Sequence, residues 1–293
     1  MKILTPRDLP DYELLDAGNH RRLERFGEYI LDRPDPKVLW SPALPPAEWN
    51  RADAVYRRSP KGGGFWKFNR QLPKSWTMRW RSLTVKVQPT GFKHVGVFPE
   101  HEAVWDWISG MVQRRRERGG PEPHILNLFA YTGVASLAAS AAGARVAHVD
   151  SSQDIVTWAR ENALLSGLQD RPIRWLIEDA TRYTRREIRR GIRYDGIIID
   201  APKFGRGAKG EVWKIEEDLS HLLEMTCRLL TPDPLFVLLF SYTTEYSSLA
   251  LDNMLRQHMR RFRGYTEFGE LALTQKSNGF PLSTTVFARW RAV

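Results

Sequence analysis

The stretch His124-Ile125-Leu126-Asn127-Leu128-Phe129-Ala130-Tyr131-Thr132-Gly133 decides how this chain is read. An apolar run (Ile125, Leu126, Leu128, Phe129) stops at Thr132-Gly133, and small residues follow through Val134, Ala135, Ser136, Leu137, Ala138 and Ala139. This predicts a buried strand turning directly into a helix, where only small side chains let helix and sheet approach closely. A second run, Ala144 to Val149, ends in Asp150, seventeen residues past Gly133. An acid at the tip of a second strand, about 20 residues after the first turn, is where a βαβ unit holds a ribose diol. The pattern points to a nucleoside cofactor.

A dinucleotide would need bare backbone beside its pyrophosphate, hence G-x-G-x-x-G. Here the turn is Ala130-Tyr131-Thr132-Gly133, with one glycine and a bulky tyrosine. A cofactor without phosphates, carrying only an adenosine and an amino-acid tail, tolerates that crowding, so S-adenosylmethionine (SAM) fits better. The competing reading is an ordinary βα turn followed by a surface aspartate.

A chain of 293 residues can bury a full core and is expected to hold two units. The single cysteine, Cys227, excludes a disulfide framework and a cysteine-based metal site, and it suits a reducing compartment. No apolar run approaches a membrane span, and the N-terminus lacks the order of a signal peptide, so a soluble cytoplasmic protein is expected. The formal charge is +10. Between Arg51 and Pro99 eleven Lys or Arg stand against one acid, Asp53, so this block alone accounts for the excess and the remainder is near neutral. One segment therefore carries the polyanion signal.

Residues 1–50 are polar and punctuated by prolines, and read as an irregular, partly β arm. Residues 51–98 mix cations with Tyr56, Phe65, Trp66, Phe68, Trp76, Trp80, Phe92 and Phe98. Gly62-Gly63-Gly64 predicts a hairpin tip, and the alternation Arg81 to Val87 a half-buried strand. Cations interleaved with rings on a small β unit suit single-stranded nucleic acid, charge holding phosphates while rings stack on bases. The alternative is a β domain whose aromatics are core and whose lysines are merely solvated. A linking helix over 101–118 is expected next, ending at Gly119-Gly120. Strands follow at 124–129, 145–150, 173–178, 194–200 and 235–240, with two more near 266–274 and 284–291. Strands alternating with helices predict an α/β fold: a doubly wound, Rossmann-like, seven-stranded and mainly parallel sheet, behind a small β-rich N-terminal domain. The expected boundaries are 1–98 and 99–293. Arg182, Arg186, Arg189 and Arg193 would line one helical face, either solvated or touching phosphate.

Ligands of open α/β sheets sit beyond the carboxyl ends of the strands. Four such ends carry informative residues: the Tyr131–Gly133 turn, Asp150, Asp179, and Asp200-Ala201-Pro202-Lys203-Phe204. Asp179 is placed to accept from an adenine amino group. Pro202 stiffens its loop, and Phe204 offers a ring for stacking. Each residue alone reads equally as a cap or turn former.

Taken together, Asn127 through Gly133, Asp150, Ala159-Arg160-Glu161-Asn162 and Asp200 through Phe204 resemble class I SAM-dependent methyltransferases. Within that class they are similar to the bacterial enzymes that modify 23S ribosomal RNA at cytosine C5 or at a guanine nitrogen, over about residues 90–293. The resemblance implies SAM as cofactor, with Asp150 on the ribose, Asp179 on the adenine and the Tyr131–Gly133 turn at the methionine part. It also implies contacts from the Gly96–Glu100 stretch, Phe98 and Pro99 among them, and extends the cofactor set to Asn127, Phe129, Ala130, Thr132, Ser151, Asn162, Ala180 and Asp200. Asp200, Pro202, Lys203 and Phe204 are the implied catalytic set, and the basic segment 51–98 the implied RNA contact. No additional RNA-binding module is visible at the terminus.

Two departures matter. The family's Asp-Pro-Pro is Asp200-Ala201-Pro202 here, and the cysteine of its C5 members is replaced by Tyr242 in Phe240-Ser241-Tyr242-Thr243. C5 methylation needs a thiolate to add to the ring, and Cys227 reads as a buried structural thiol within a helix. The expected activity is methyl transfer to structured RNA, ribosomal by resemblance, at a base nitrogen. The alternatives are a small-molecule or protein methyltransferase, and a SAM- or RNA-binding protein without catalysis.

Overall fold

The computed structural model describes residues 1–59, 63–207, 210–242 and 246–293, and the chain forms two compact units. One comprises Thr5–Glu102 with Ala272–Thr284; the other comprises Met1–Leu4, Ala103–Leu271 and Thr285–Val293. The division thus lies four residues beyond the expected 98/99 boundary. The chain's first four residues and the ends of its last two strands also group with a different unit than sequence order suggests.

After β1 (Lys2–Leu4), the N-terminal unit builds a five-stranded sheet from β2 (Tyr12–Gly18), β3 (Arg21–Phe26), β4 (Tyr29–Pro34), β5 (Ala54–Arg58) and β6 (Gly64–Phe68), in that spatial order. A short helix, α1 (Pro46–Trp49), lies between β4 and β5. The expected irregular arm is therefore a regular meander. Its strands were hard to read because their inward positions are charged: Arg22, Glu24, Arg33 and Asp35 are all buried. Arg33 grips Glu24 with two bonds of 2.8 Å, and the Tyr12 hydroxyl donates to the same carboxylate at 2.8 Å. Burial would raise the Glu24 pKa, but the facing charges of Arg22 and Arg33 hold it down at about 2.

β7 (Trp76–Trp80) and β8 (Leu83–Val87) form a separate hairpin. Arg81 belongs to its turn, at φ 51°, rather than to the strand. At the β5–β6 tip Gly63 adopts φ +66°, and Gly62 lies outside the described residues.

The linking helix is α2 (Glu102–Glu117), entered through a 3₁₀ turn at Pro99–His101 and closed by Gly119 at φ +72°. The α/β unit continues through β9 (His124–Leu128), α3 (Val134–Ala141), β10 (Arg145–Asp150), α4 (Gln153–Leu165), β11 (Ile173–Ile177), α5 (Ala180–Arg190) and β12 (Gly196–Ala201). A small hairpin follows, β13 (Phe204–Arg206) with β14 (Val212–Lys214), and then α6 (Ile215–Cys227), β15 (Phe236–Ser241), α7 (Ser248–Met259), β16 (Gly264–Thr274) and β17 (Pro281–Ala292).

The sheet runs β1-β16-β17-β15-β12-β9-β10-β11. It has eight strands, not the expected seven, because Lys2–Leu4 pairs in parallel with Gly269–Leu271. The strand antiparallel to β15 is β17. Alternate residues of the central strands face opposite layers. Leu126, Ile197 and Leu239 pack with α5, α6 and α7, while Ile125, Ile198 and Leu238 pack with α2 and α3. Strands covered on both faces read as unbroken apolar runs, which is why these were legible. The chain steps from β9 outward to β11 and then returns to β12 on the other side of β9. Beyond the carboxyl ends of β9 and β12 lies the resulting switch point.

Among the described residues no helix is long and apolar enough to cross a membrane.

Candidate functional site

At the end of β9 the backbone enters a tight turn in which Phe129 (φ 54°), Tyr131 (φ 50°) and Gly133 (φ 88°) all take the left-handed conformation. Such conformations cost non-glycine residues about 1–2 kcal/mol each, so the surroundings must impose them. Asp150, at the tip of neighbouring β10, does so. Its Oδ2 accepts from the Tyr131 backbone N–H at 2.9 Å and its Oδ1 from that of Ser152 at 3.0 Å. Burial pushes the Asp150 pKa up, and the amides of Ser152, Tyr131 and Ser151 oppose the rise. The acid expected to meet a ribose diol is therefore also the brace of the turn.

Gly133 is required on two counts. Its φ is left-handed, and a Cβ there would come within 3.0 Å of the Ala159 Cβ and 3.3 Å of His148 Cε1. Buried Asn162 on α4 donates to the Thr132 carbonyl at 2.9 Å, so it supports the turn from behind. Asn127 points to α3, donating to Ser136 Oγ at 2.9 Å, and Ser136 Oγ lies 3.1 Å from His148 Nδ1. Burial drives the His148 pKa down to about 3, so the imidazole is neutral. This buried relay joins β9, α3 and β10, and no sequence signal announced it.

Asp179 caps α5, its Oδ1 accepting from the Arg182 N–H at 2.8 Å, with buried Ala180 opening the helix. The capping reading of Asp179 thus has a structural basis. The arginine row does not persist along α5. Gly191, at φ 67°, ends the helix, so Arg193 lies outside it. Arg182 and Arg186 both pair with Glu178.

Asp200 is the penultimate residue of β12, and the Tyr242 hydroxyl donates to its Oδ2 at 3.3 Å. The loop that follows is held by a residue not anticipated from sequence. Trp213 Nε1 donates to the Pro202 carbonyl at 2.7 Å, and the Trp213 ring lies 4.8 Å from that of Phe129. Lys203 anchors the hairpin through its carbonyl, which accepts from Ile215 N at 3.0 Å. Phe204 is left 52% exposed, with the Arg206 guanidinium 5.9 Å from its ring centroid. Thr243 lies outside the described residues. Cys227 sits buried at the far end of α6, its thiol pushed up to about 12 by burial.

The structure therefore gathers the Phe129–Gly133 turn, Asp150, Ser151 and Asn162 around one strand end, with Asp200 through Phe204 beyond neighbouring β12. A cofactor with a ribose and no phosphates fits this set: a half-buried carboxylate beside a turn with no room for a further side chain. Phe98 and Pro99 belong to the N-terminal unit, at the start of the 3₁₀ turn, where the Phe98 ring lies 5.4 Å from that of His94 and 5.9 Å from that of His101.

In the basic segment the aromatics divide. Trp80 and Tyr56 are buried, whereas Phe65, Phe68 and Phe92 are exposed. Trp66 is half-buried, donating to the Thr90 carbonyl at 2.8 Å with its ring 5.4 Å from that of Tyr56. Arg70 pairs with Asp53 at 2.5 Å and lies over Tyr29 at 5.1 Å. Opposite residues in the β5–β6 ladder, Arg57 with Phe65 and Val55 with Lys67, place two cations and an exposed ring on one face of an edge hairpin.

No protein-family model matches the chain. A ribosomal RNA large subunit methyltransferase K/L from Shewanella sp. (strain ANA-3) is 29% identical over 178 residues, 60% of this chain and 24% of that protein. Its counterpart from Shewanella baltica (strain OS155 / ATCC BAA-1091) is 32% identical over 149 residues, 50% of this chain and 20% of that protein. The chain thus spans about a quarter or less of the length of these curated relatives. A crystal structure of the SAM-dependent methyltransferase from Agrobacterium tumefaciens is 38% identical, superimposes with a TM-score of 0.94, and is matched over 100% of this chain and 94% of its own. With the switch point, the braced turn and this agreement over nearly the whole of both chains, the protein belongs to the SAM-dependent methyltransferases.

Proposed function

We propose that the chain methylates structured RNA, with large-subunit ribosomal RNA as substrate, a base nitrogen as acceptor and the cytoplasm as its place of work. The observation that carries this reading is the Asp200–Phe204 loop. It offers a carboxylate oriented by Tyr242, a carbonyl pinned by Trp213 and an exposed ring, all beyond the strand beside the cofactor turn. The names of the Shewanella relatives support the RNA class.

SAM supplies an electrophilic methyl group when bound. The chain's residues do the positioning. Asp150 accepts from the ribose hydroxyls, Asp179 from the adenine amino group, and the Tyr131–Gly133 backbone borders the methionine part. Asp200 orients the acceptor, Pro202 keeps its loop stiff, and Phe204 stacks on a base extruded from the RNA. A base nitrogen carries the lone pair that attacks, and its N–H proton passes to Asp200 as the N–CH3 bond forms, so in-line placement and one proton acceptor supply most of what the reaction needs. Cytosine C5 lacks one, and a thiolate must create it. Tyr242 stands where that thiolate is expected, and a Cys227 thiol titrating at about 12 at the end of α6 supplies no substitute.

The β5–β6 face, with Arg57, Phe65 and Lys67, is the proposed RNA-holding surface. Trp66, the notable ring in sequence, is a poorer stacking platform because its indole is already bonded and packed.

Incubating the protein with methyl-labelled SAM and total RNA tests the reading. Label should enter RNA, remain after protease and disappear after ribonuclease. Asp200→Ala should abolish transfer. Label only in protein or in small molecules, or none at all, overturns it.

A further inference from the structure

A second basic surface belongs neither to the Phe129–Gly133 turn and its surroundings nor to the β5–β6 hairpin. Residues 256–263 contain Arg256, His258, Arg260, Arg261 and Arg263 and no acid. They form the end of α7 and the turn into β16. β16 starts at Gly264, and Arg291 near the end of antiparallel β17 pairs opposite Phe236 at the start of β15. This surface therefore lies where the parallel strands begin. Asp150 and Asp200 lie where they end, a strand length of about 20 Å away.

The surface is a groove of about 550 Å³ whose walls include Arg256, Arg260, Phe262, Tyr265 and Trp290. Gly264 borders it and lies tight against β17, since a Cβ there would meet the Arg291 carbonyl and the Trp290 ring at 2.3 Å. Two arginines shape the walls. Arg256 is tied to Asp252 at 2.7 Å and to Thr266 Oγ1 at 3.0 Å, and Arg261 donates to the Cys227 carbonyl at 2.7 Å while lying over Phe262. Arg260 on the groove wall and Arg263, which immediately precedes Gly264 of that wall, have no carboxylate partner among the described residues. Tyr265 is 39% exposed, and the Arg291 guanidinium lies 4.4 Å from its ring centroid. Burial and, after it, the nearby charge of Arg114 on α2 depress the Arg291 pKa.

We propose that this groove is a second RNA-contacting site, gripping a single-stranded segment of the substrate away from the base being methylated. The inference rests on the RNA reading above. Uncommitted arginines answer phosphates, and an oriented, exposed ring beside them answers a base, which is the combination single strands require. An acidic polypeptide would use the charges but not the ring. The near-neutral charge of the methyltransferase unit hides this asymmetry, because its acids lie elsewhere.

The full-length protein is titrated with a fluorescent single-stranded RNA oligomer over a salt series, with SAM affinity and thermal melting measured alongside. Arg260→Gln with Arg263→Gln should weaken binding and flatten the log–log salt slope by about 1.4, two phosphates at about 0.7 each. Tyr265→Ala should weaken binding roughly tenfold without changing the slope. SAM affinity and melting should stay at parent values in both variants. Parent-like RNA affinity and slope in both would overturn the inference. So would polyglutamate competing fully with the RNA while Tyr265→Ala has no effect, which would make this an acidic-polypeptide surface. Methyl transfer to RNA by the parent protein is scored separately. If RNA is methylated but both variants bind normally, the groove fails and the RNA reading stands. If no RNA is methylated yet both variants lose RNA affinity, the groove stands and the RNA reading fails.

Discussion

Asp150→Asn is the most informative single change, because the carboxylate does two jobs that an amide cannot do together. Its two oxygens accept from two different backbone amides, Tyr131 at 2.9 Å and Ser152 at 3.0 Å. Asparagine has one acceptor oxygen, so whichever way its side chain is turned, its NH2 faces a backbone N–H. One part-buried bond is lost and two donors are left opposed, at a cost of about 2–4 kcal/mol. That cost falls on a turn already holding Phe129 and Tyr131 in left-handed conformations, so it should appear as a lower unfolding free energy. The ribose meets the same group, now half donor. SAM should bind 10- to 100-fold more weakly, or about 1.4–2.8 kcal/mol. Calorimetric titration with SAM, beside thermal unfolding with and without ligand, measures both effects. In the parent, burial raises the Asp150 pKa above its ordinary 3.8, so the carboxylate becomes neutral as pH falls through that raised value. SAM affinity should decline over the same range, and the Asn variant should show no such limb. A variant with Kd within twofold of the parent and an unchanged melting temperature refutes the reasoning outright. A lower melting temperature with intact Kd would leave Asp150 as a brace for the turn and remove it from the ribose.

Gly133→Ala should lower stability by about 2–4 kcal/mol in urea unfolding, from the left-handed φ together with crowding against Ala159 and His148. Cys227→Ala should keep methyl transfer within a few-fold while costing about 1–2 kcal/mol of stability from lost packing; a well-folded variant without turnover would contradict the assigned mechanism. Glu24→Gln leaves Arg33 buried without its counter-charge and Arg22 with Asp35 alone, and should cost about 3–5 kcal/mol. The folded-state pKa of Glu24 is depressed to about 2. Its contribution is therefore complete above the ordinary 4.5 and lost as pH falls from 4.5 toward 2, a limb that acid-unfolding curves of the Gln variant should lack. At the β5–β6 face, Lys67→Gln should flatten the salt dependence of RNA binding by about 0.7. Phe65→Ala should weaken binding by about 1–3 kcal/mol with the slope intact, whereas Trp66→Ala should chiefly lower the melting temperature.

What was legible in the sequence was local. The run from Ile125 to Phe129, the turn at Gly133 and the small residues of α3 follow from backbone sterics within a dozen residues. Asp150 could be placed because the length of a βαβ unit is set by helix and strand geometry. The parallel strands showed as apolar runs because both their faces are covered. What the sequence could not show depends on partners far along the chain. β1 joins the sheet by pairing with residues more than 260 positions away, and the Arg182 row breaks at a glycine whose neighbours looked helical. Trp213 finds the Pro202 carbonyl, and Tyr242 finds Asp200, only once β12 and β15 lie side by side. Charge was the least readable property. Arg33 and Glu24 disappear into a core as a bonded pair while Arg260 and Arg263 remain uncommitted, and the residue types are alike in both places. A charged side chain's energy is set by how much water it keeps and which opposite charge it meets, and only the tertiary structure decides either.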